Sequence, residues 1–247
     1  MKNIAVLTTG GDAPGMNPAI RSVVRFGILK GLKVYGVMRG WQGLINEELK
    51  ELGHHSVSGI ISQGGTMLKT GRCPEFSKRE YQERAFNTLK KYSIEGMIVI
   101  GGNGSFTAAH NFGTTYNVPC IGIPASIDND INGIDLTIGS DTAINTALDA
   151  IDNIRDTATS MERIFVIEVM GRDSGFIALS VALAGGCEDV IIPELKPNWE
   201  RICEDIVQGN IRGKVSWIIV VAEGAGSAGQ IAKKITEKTS LETRPVV

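Results

Sequence analysis

Short β-branched runs alternating with amphipathic helical stretches predict an α/β chain with doubly wound, mostly parallel sheets in a three-layer αβα arrangement. Three observations carry that prediction. The strand-length runs, among them Gly96–Gly101 and Trp217–Ala222, are apolar on both faces, as a sheet covered by helices on each side requires. The stretches between them place apolar residues at helical spacing, as in Ile144, Leu148, Ile151 and Ile154. Glycine-rich turns stand where strands hand over to helices.

Taken in order, Ile4–Thr8 reads as a strand, followed by a glycine turn and a helix over Asn17–Leu29. Lys33–Met38 is a second strand. Ser77 and Glu80 have capping-box spacing and predict a helix running to Lys91. Gly96–Gly101, Cys120–Pro124, Ile164–Met170, Val190–Ile192 and Trp217–Ala222 continue the strand series. Asn198 reads as the N-cap of a helix carrying Trp199, Ile202 and Ile206. A boundary is expected near residue 139, dividing the chain into 1–139 and 140–247.

The composition narrows the function classes. The chain has 247 residues, 43% hydrophobic and 21% charged, with a net charge of −2, which excludes a disordered tail or a fibre. That charge balance gives no support for a generally nucleic-acid-binding surface. No apolar run approaches the ~18 residues of a membrane span. The four cysteines show no CxxC spacing, and the three histidines form no zinc-type cluster. Reduced thiols and a cytoplasmic location are expected.

Ligands of open α/β sheets bind at the carboxyl ends of strands, and three such ends carry unusual chemistry here. The first is Thr8 to Asn17 (TTGGDAPGMN), whose paired glycines let backbone N–H groups approach an anion at a helix start. A tight turn asks for the same glycines. The second is Gly101-Gly102-Asn103-Gly104-Ser105, and two glycine cradles on one sheet edge suggest an elongated polyphosphate. The third is Pro124 to Asp130, where Asp128 and Asp130 can divide labour between proton acceptance and Mg²⁺ binding. Turn and capping clusters use the same Asp-Asn-Asp string. Arg72, Arg163, Arg172 and Arg244 are candidates for collecting an anionic substrate, because guanidinium binds phosphate bidentately.

These loops, in this order and with Met170-Gly171-Arg172, closely resemble the phosphofructokinase family. The runs that carry the resemblance are TTGGDAPGMN, GGTMLKTGRCPEF, GGNGS, SIDND, TIGSDTA, IRDTATSMER, EVMGRDSG and VAEG, spread over the whole chain. The resemblance implies the two-domain phosphofructokinase fold, with a larger nucleotide-binding domain over 1–139 and a smaller sugar-phosphate domain over 140–247. It implies a homotetramer and the glycolytic transfer of the ATP γ-phosphoryl to fructose 6-phosphate with Mg²⁺. By the same resemblance, Gly11, Arg72, Cys73, Gly102, Asn103, Gly104 and Ser105 would bind ATP. Asp128 would be the base, with Arg72 and Arg172 completing the catalytic set. Ser126, Ile127, Asp128, Met170, Gly171, Arg172 and Glu223 would hold the sugar phosphate, with Arg163 and Arg244 contributed by a neighbouring subunit. Arg21, Arg25, Arg155, Glu188, Arg212 and Lys214 match an effector site for ADP or phosphoenolpyruvate.

Three features set expectations of their own. Gly104 and Ala125 stand where pyrophosphate-using relatives tend to carry aspartate and lysine, which favours ATP as donor. Asn103 stands where the family has a Mg²⁺-associated aspartate; with Asp130 it is the candidate metal position, and weaker Mg²⁺ use is expected. The sequence stops at Thr243–Val247, where relatives continue into a segment that completes the sugar-phosphate site, so a fragment or shortened form is expected. The alternative reading is a catalytically silent subunit that still binds nucleotide.

Overall fold

The computed structural model describes residues 1–247, which fall into two compact units, Met1–Gly139 and Ser140–Val247.

The first unit contains strands β1 (Asn3–Thr8), β2 (Lys33–Val37), β3 (Leu49–Glu51), β4 (Gly96–Gly101), β5 (Cys120–Ser126) and β6 (Ile138–Gly139). Its helices are α1 (Met16–Leu29), α2 (Gly40–Ile45), α3 (Arg79–Lys91) and α4 (Asn103–Tyr116). The sheet order is β3-β2-β1-β4-β5-β6, and every pairing is parallel except that of β3 with β2. Side-chain alternation along β1 builds a core on each face. Ala5 and Leu7 join Trp41, Leu89, Met97 and Phe112 on the side of α2, α3 and α4. Ile4 and Val6 join Met16, Ile20, Val24 and Val34 on the side of α1. The chain leaves β1 toward β2 and later returns to β4 on its other flank, so the sheet reverses its order between β1 and β4, where ligands of such sheets bind.

The second unit contains β7 (Ile164–Val169), β8 (Asp189–Ile191), β9 (Trp217–Ala222) and β10 (Thr243–Val246), with α5 (Ser140–Met161), α6 (Phe176–Ala184), α7 (Trp199–Ile211) and α8 (Ala228–Thr239). Its four strands run parallel in the order β10-β7-β9-β8. Ile164, Val166, Ile219 and Val221 pack with Ile202, Ile206, Ile231 and Ile235 of α7 and α8. Helices α5 and α6 pack against β7 and β9. Asn198 caps α7 as its sequence position predicts, its side chain accepting from Arg201 N at 3.1 Å.

The capping box at Ser77 does not form. Ser77 Oγ donates to Pro74 O at 2.7 Å and closes a short 3₁₀ turn over Pro74–Ser77, so α3 starts later, at Arg79, with no side-chain cap. The Pro-led 3₁₀ turn takes Ser77 as its own last residue and moves the N-cap position to Lys78, whose side chain offers no acceptor. Strands β3, β6 and β10 are not predicted by the sequence patterns. They are short edge elements, and Pro245 sits in β10, where an edge position tolerates its missing N–H. No helix is long and apolar enough to cross a membrane.

Candidate functional site

Strands β1, β4 and β5 are neighbours, so parallel pairing brings the loops at their carboxyl ends side by side. The first loop leaves β1 through Thr8 and Thr9, both buried, and Gly10 takes φ +92°, a conformation that favours glycine. Gly11 and Asp12 beyond it are exposed. Gly15 again has positive φ, and a Cβ there would stand 2.6 Å from Ile138, so glycine is needed where α1 begins.

The second loop is locked onto the first. Ser105 Oγ, buried, donates to Thr9 O at 2.9 Å, and Thr9 N donates to Ile100 O at 3.1 Å. A Cβ on Gly101 would lie 2.5 Å from Ser105 Oγ and 2.6 Å from Thr9 O, so only glycine fits this crossing. Gly104 faces open space: a Cβ there would meet no atom within 4 Å. Ser105 therefore spends its hydroxyl on holding the two cradles together, and Gly104 leaves room over them.

The third loop separates its two carboxylates. Asp128 is 6% exposed, and its N–H donates to Ser126 Oγ at 3.3 Å. Asn129 takes φ +48° and braces the turn, accepting from Thr137 N at 2.8 Å and donating to Asp135 O at 3.2 Å. Asp130 is exposed and is met by Asn103, whose Nδ2 donates to Asp130 O at 2.9 Å and to its carboxylate at 3.0 Å. This contact joins the second and third loops.

A fourth segment, marked in the sequence by the run GGTMLKTGRCPEF, carries Arg72. Gly10 N donates to Gly71 O at 3.2 Å, and Thr70 Oγ1 donates to Gly10 O at 3.0 Å. Arg72 is exposed immediately beyond this pairing. Burial pushes the neighbouring Cys73 thiol above its ordinary value, and its Sγ lies 3.5 Å from Gln42 Oε1. Side-chain tethers from Asn17 and Thr8 hold the same segment upstream.

In the second unit, the turn after β7 presents Met170, Gly171 and Arg172. Gly171 and Arg172 take φ +143° and +51°. Their N–H groups both donate to Glu223 Oε1, at 3.1 and 2.7 Å. Gly224 lies against the turn so closely that a Cβ would stand 2.1 Å from Arg172 O. Gly175 N donates to Glu194 Oε1 at 2.7 Å at the start of α6. Glu194 carried no motif signal, because its partner is far away in sequence.

Arg163, just before β7, and Arg244, in the adjacent strand β10, come together. Both reach Glu242, at 3.0 and 2.5 Å. Desolvation opposes ionisation of Glu242, but the two guanidiniums win and hold its carboxyl below the ordinary range. Of the candidate effector residues, Arg21 and Arg25 line a cavity of about 320 Å³ with Pro18, Ser22 and Ile61, and Arg21 Nη1 donates to Val57 O at 2.8 Å. In the second unit Lys214 pairs with Glu188 at 2.7 Å, Arg155 donates to Gly185 O, and Arg212 is exposed.

No cluster of three or more His, Cys, Asp and Glu side chains is positioned to hold a metal ion. At the expected Mg²⁺ position, Asp130 offers one exposed carboxylate with the Asn103 amide beside it. Mg²⁺ commonly binds through one or two carboxylates completed by phosphate oxygens and water, so this donor set fits it, with one charge fewer than a carboxylate pair would supply.

Comparison with known proteins gives a consistent picture. An ATP-dependent 6-phosphofructokinase from Clostridium acetobutylicum is 53% identical over 247 residues, 100% of this chain and 77% of that protein. The structure of phosphofructokinase from Saccharomyces cerevisiae superposes with a TM-score of 0.94 at 34% identity, over 100% of this chain and 38% of the yeast chain. A pyrophosphate-dependent phosphofructokinase from Marinobacter aquaeolei shares the fold, with a TM-score of 0.83 at 24% identity over 100% of this chain and 68% of that one. The phosphofructokinase family profile matches residues 3–247, which takes in both sheets and every loop described above, and the chain belongs to the phosphofructokinase family.

Proposed function

We propose that this chain transfers the γ-phosphoryl group of ATP to the 1-hydroxyl of fructose 6-phosphate, the phosphorylation step of glycolysis, giving fructose 1,6-bisphosphate and ADP in the cytoplasm. The observation that carries this reading is the meeting of the Gly10–Asp12, Gly102–Ser105 and Asp128–Asp130 loops at the carboxyl ends of three adjacent strands. The name borne by the Clostridium relative supports the same donor and acceptor.

In this reading the first unit is the nucleotide-binding domain. Gly11, Arg72, Cys73, Gly102, Asn103, Gly104 and Ser105 form the ATP cradle, and the open space above Gly104 admits the rest of the nucleotide. That space, with the small Ala125 in the third loop, favours ATP over pyrophosphate. Asp128 accepts the proton of the attacking hydroxyl, beside Ser126 and Ile127. Arg72 balances charge on the transferred group, consistent with a reaction that relies on positioning and cationic clamps rather than covalent chemistry. The second unit is the sugar-phosphate domain, where Met170, Gly171, Arg172 and Glu223 bind the acceptor. Arg163 and Arg244 serve a neighbouring subunit of a homotetramer. Arg21, Arg25, Arg155, Glu188, Arg212 and Lys214 answer to ADP or phosphoenolpyruvate. Mg²⁺ would be held by Asp130 and the Asn103 carbonyl and would neutralise phosphate charge.

A coupled assay of the purified chain with ATP, fructose 6-phosphate and Mg²⁺ tests the reading, with Asp128→Asn expected to lower kcat by ~10²- to 10⁴-fold. ATP binding without turnover would overturn it in favour of the silent nucleotide-binding subunit, the reading favoured by asparagine at position 103 in place of a carboxylate.

A further inference from the structure

We infer that Asn17 is a positioning residue that sets the course of the Arg72 segment through three side-chain hydrogen bonds to residues 63–67. This inference rests on the role proposed above for Arg72.

Asn17 is the second residue of α1 and is 1% exposed. It is not the cap of that helix, since Gly15 holds that position. Its side chain is turned instead toward a segment far away in sequence. Nδ2 donates to Gln63 O at 3.0 Å and to Gly64 O at 3.4 Å, and Oδ1 accepts from Met67 N at 2.7 Å. Both ends of the amide are used, which no other side chain of this size can match: aspartate lacks the donor and leucine lacks both groups.

The segment needs such a hook. Residues 58–73 contain no regular element, and only Ile60 and Leu68 among them are buried. Connections of this length without secondary structure are uncommon in compact domains and are usually functional. Apolar burial therefore anchors the segment at just two points, and polar tethers do the rest. Asn17 fixes residues 63–67. Thr8 Oγ1 then donates to Lys69 O at 2.9 Å, and Arg39 N to Leu68 O at 2.8 Å. The Thr70 and Gly71 bonds to Gly10 complete the path one residue before Arg72. Asn17 is the first tether in this series and the one that captures the segment's exposed stretch. The physical consequence is alignment: a displacement of about 1 Å at a group aligned on a reacting phosphoryl costs on the order of 10²-fold in rate.

The test is a double-mutant cycle on the full chain with hydrogen exchange as an independent readout. Asn17→Asp keeps the size and the acceptor but opposes a carboxylate oxygen to two carbonyls. It should lower kcat by ~10- to 100-fold, with a smaller change in KM for ATP, and should remove exchange protection at the Met67 amide while β1 and β4 stay protected. In an Arg72→Ala background the same substitution should have little further effect on kcat, because its action passes through Arg72. Should Asn17→Asp fail to fold, Thr70→Val cuts the same path further along and is read by the same cycle. Lost protection at Met67 with kcat unchanged would overturn the inference, as would additive effects in the cycle. Absence of turnover in the unsubstituted chain would overturn the kinase reading, and with it the role assigned to Asn17; turnover with an additive cycle would overturn the role of Asn17 alone.

Discussion

The Arg72 segment of the first unit and the Arg172 turn of the second present the same kind of group by opposite means. Arg72 follows a path held by neutral donors and acceptors: the Asn17 amide, the Thr8 and Thr70 hydroxyls and the Gly10 N–H. The Arg172 turn is held by carboxylates, with Glu223 accepting from Gly171 and Arg172 and Glu194 accepting from Gly175. Charge-assisted bonds are shorter and stronger, which suits a turn that must keep a non-glycine residue at φ +51°. Neutral tethers add no charge that would weaken the field of Arg72 in its proposed role as a phosphate clamp. The difference lies in the partners: carboxylates accept the N–H groups of the Arg172 turn, whereas amides and hydroxyls fix the Arg72 segment, including Lys69 at φ +62°.

The strongest way to break the comparison is steric. Gly224→Ala would put a Cβ 2.1 Å from Arg172 O, so the turn must shift whatever Glu223 does. A loss of ~1–3 kcal/mol by urea denaturation is expected, together with weaker sugar-phosphate binding. Unchanged stability would mean that the carboxylate clamp, not the close approach, decides the turn.

Glu223 sharpens the same point with a smaller effect. Glu223→Ala removes the acceptor of two N–H groups at an exposed site and should cost ~1 kcal/mol, while Glu223→Gln keeps an acceptor oxygen and should recover part of it. Equal losses for the two variants, measured as denaturation midpoints, would assign the effect to charge alone.

The smallest expected effect lies in the first unit. Asn103→Asp would bring a second carboxylate against Asp130 and replace an amide donor by a like charge. Without divalent cation the variant should be a few tenths of a kcal/mol less stable. Mg²⁺ should reverse this in a thermal-shift measurement, since a carboxylate pair attracts a hard cation. A midpoint that ignores Mg²⁺ in variant and unsubstituted chain alike would argue against Asp130 as a metal position.

The central strands were legible because each is an apolar run buried on both faces, so Gly96–Gly101 and Trp217–Ala222 match their sequence bounds. The glycines of the loops were legible as glycines, but not for their reasons. Gly101 is required by Ser105 and Thr9, and Gly224 by Arg172, contacts between residues brought together by sheet pairing and packing. Strands β3, β6 and β10 escaped the periodicity because two to four residues at a sheet edge cannot establish one. Ser77 misled because a Pro-led 3₁₀ turn absorbs it and shifts the helix start one residue past the capping-box position.

By itself, then, the sequence determined the α/β class, the central strands and the motif loops, because local apolar patterning and glycine turns are properties of neighbouring residues. Tertiary structure alone decided how Asn17 captures residues 63–67, how Glu242 gathers Arg163 and Arg244, and which carboxylates hold the Arg172 turn. Most of these bonds join groups tens of residues apart, and a donor's type names no partner until the sheets bring the two together.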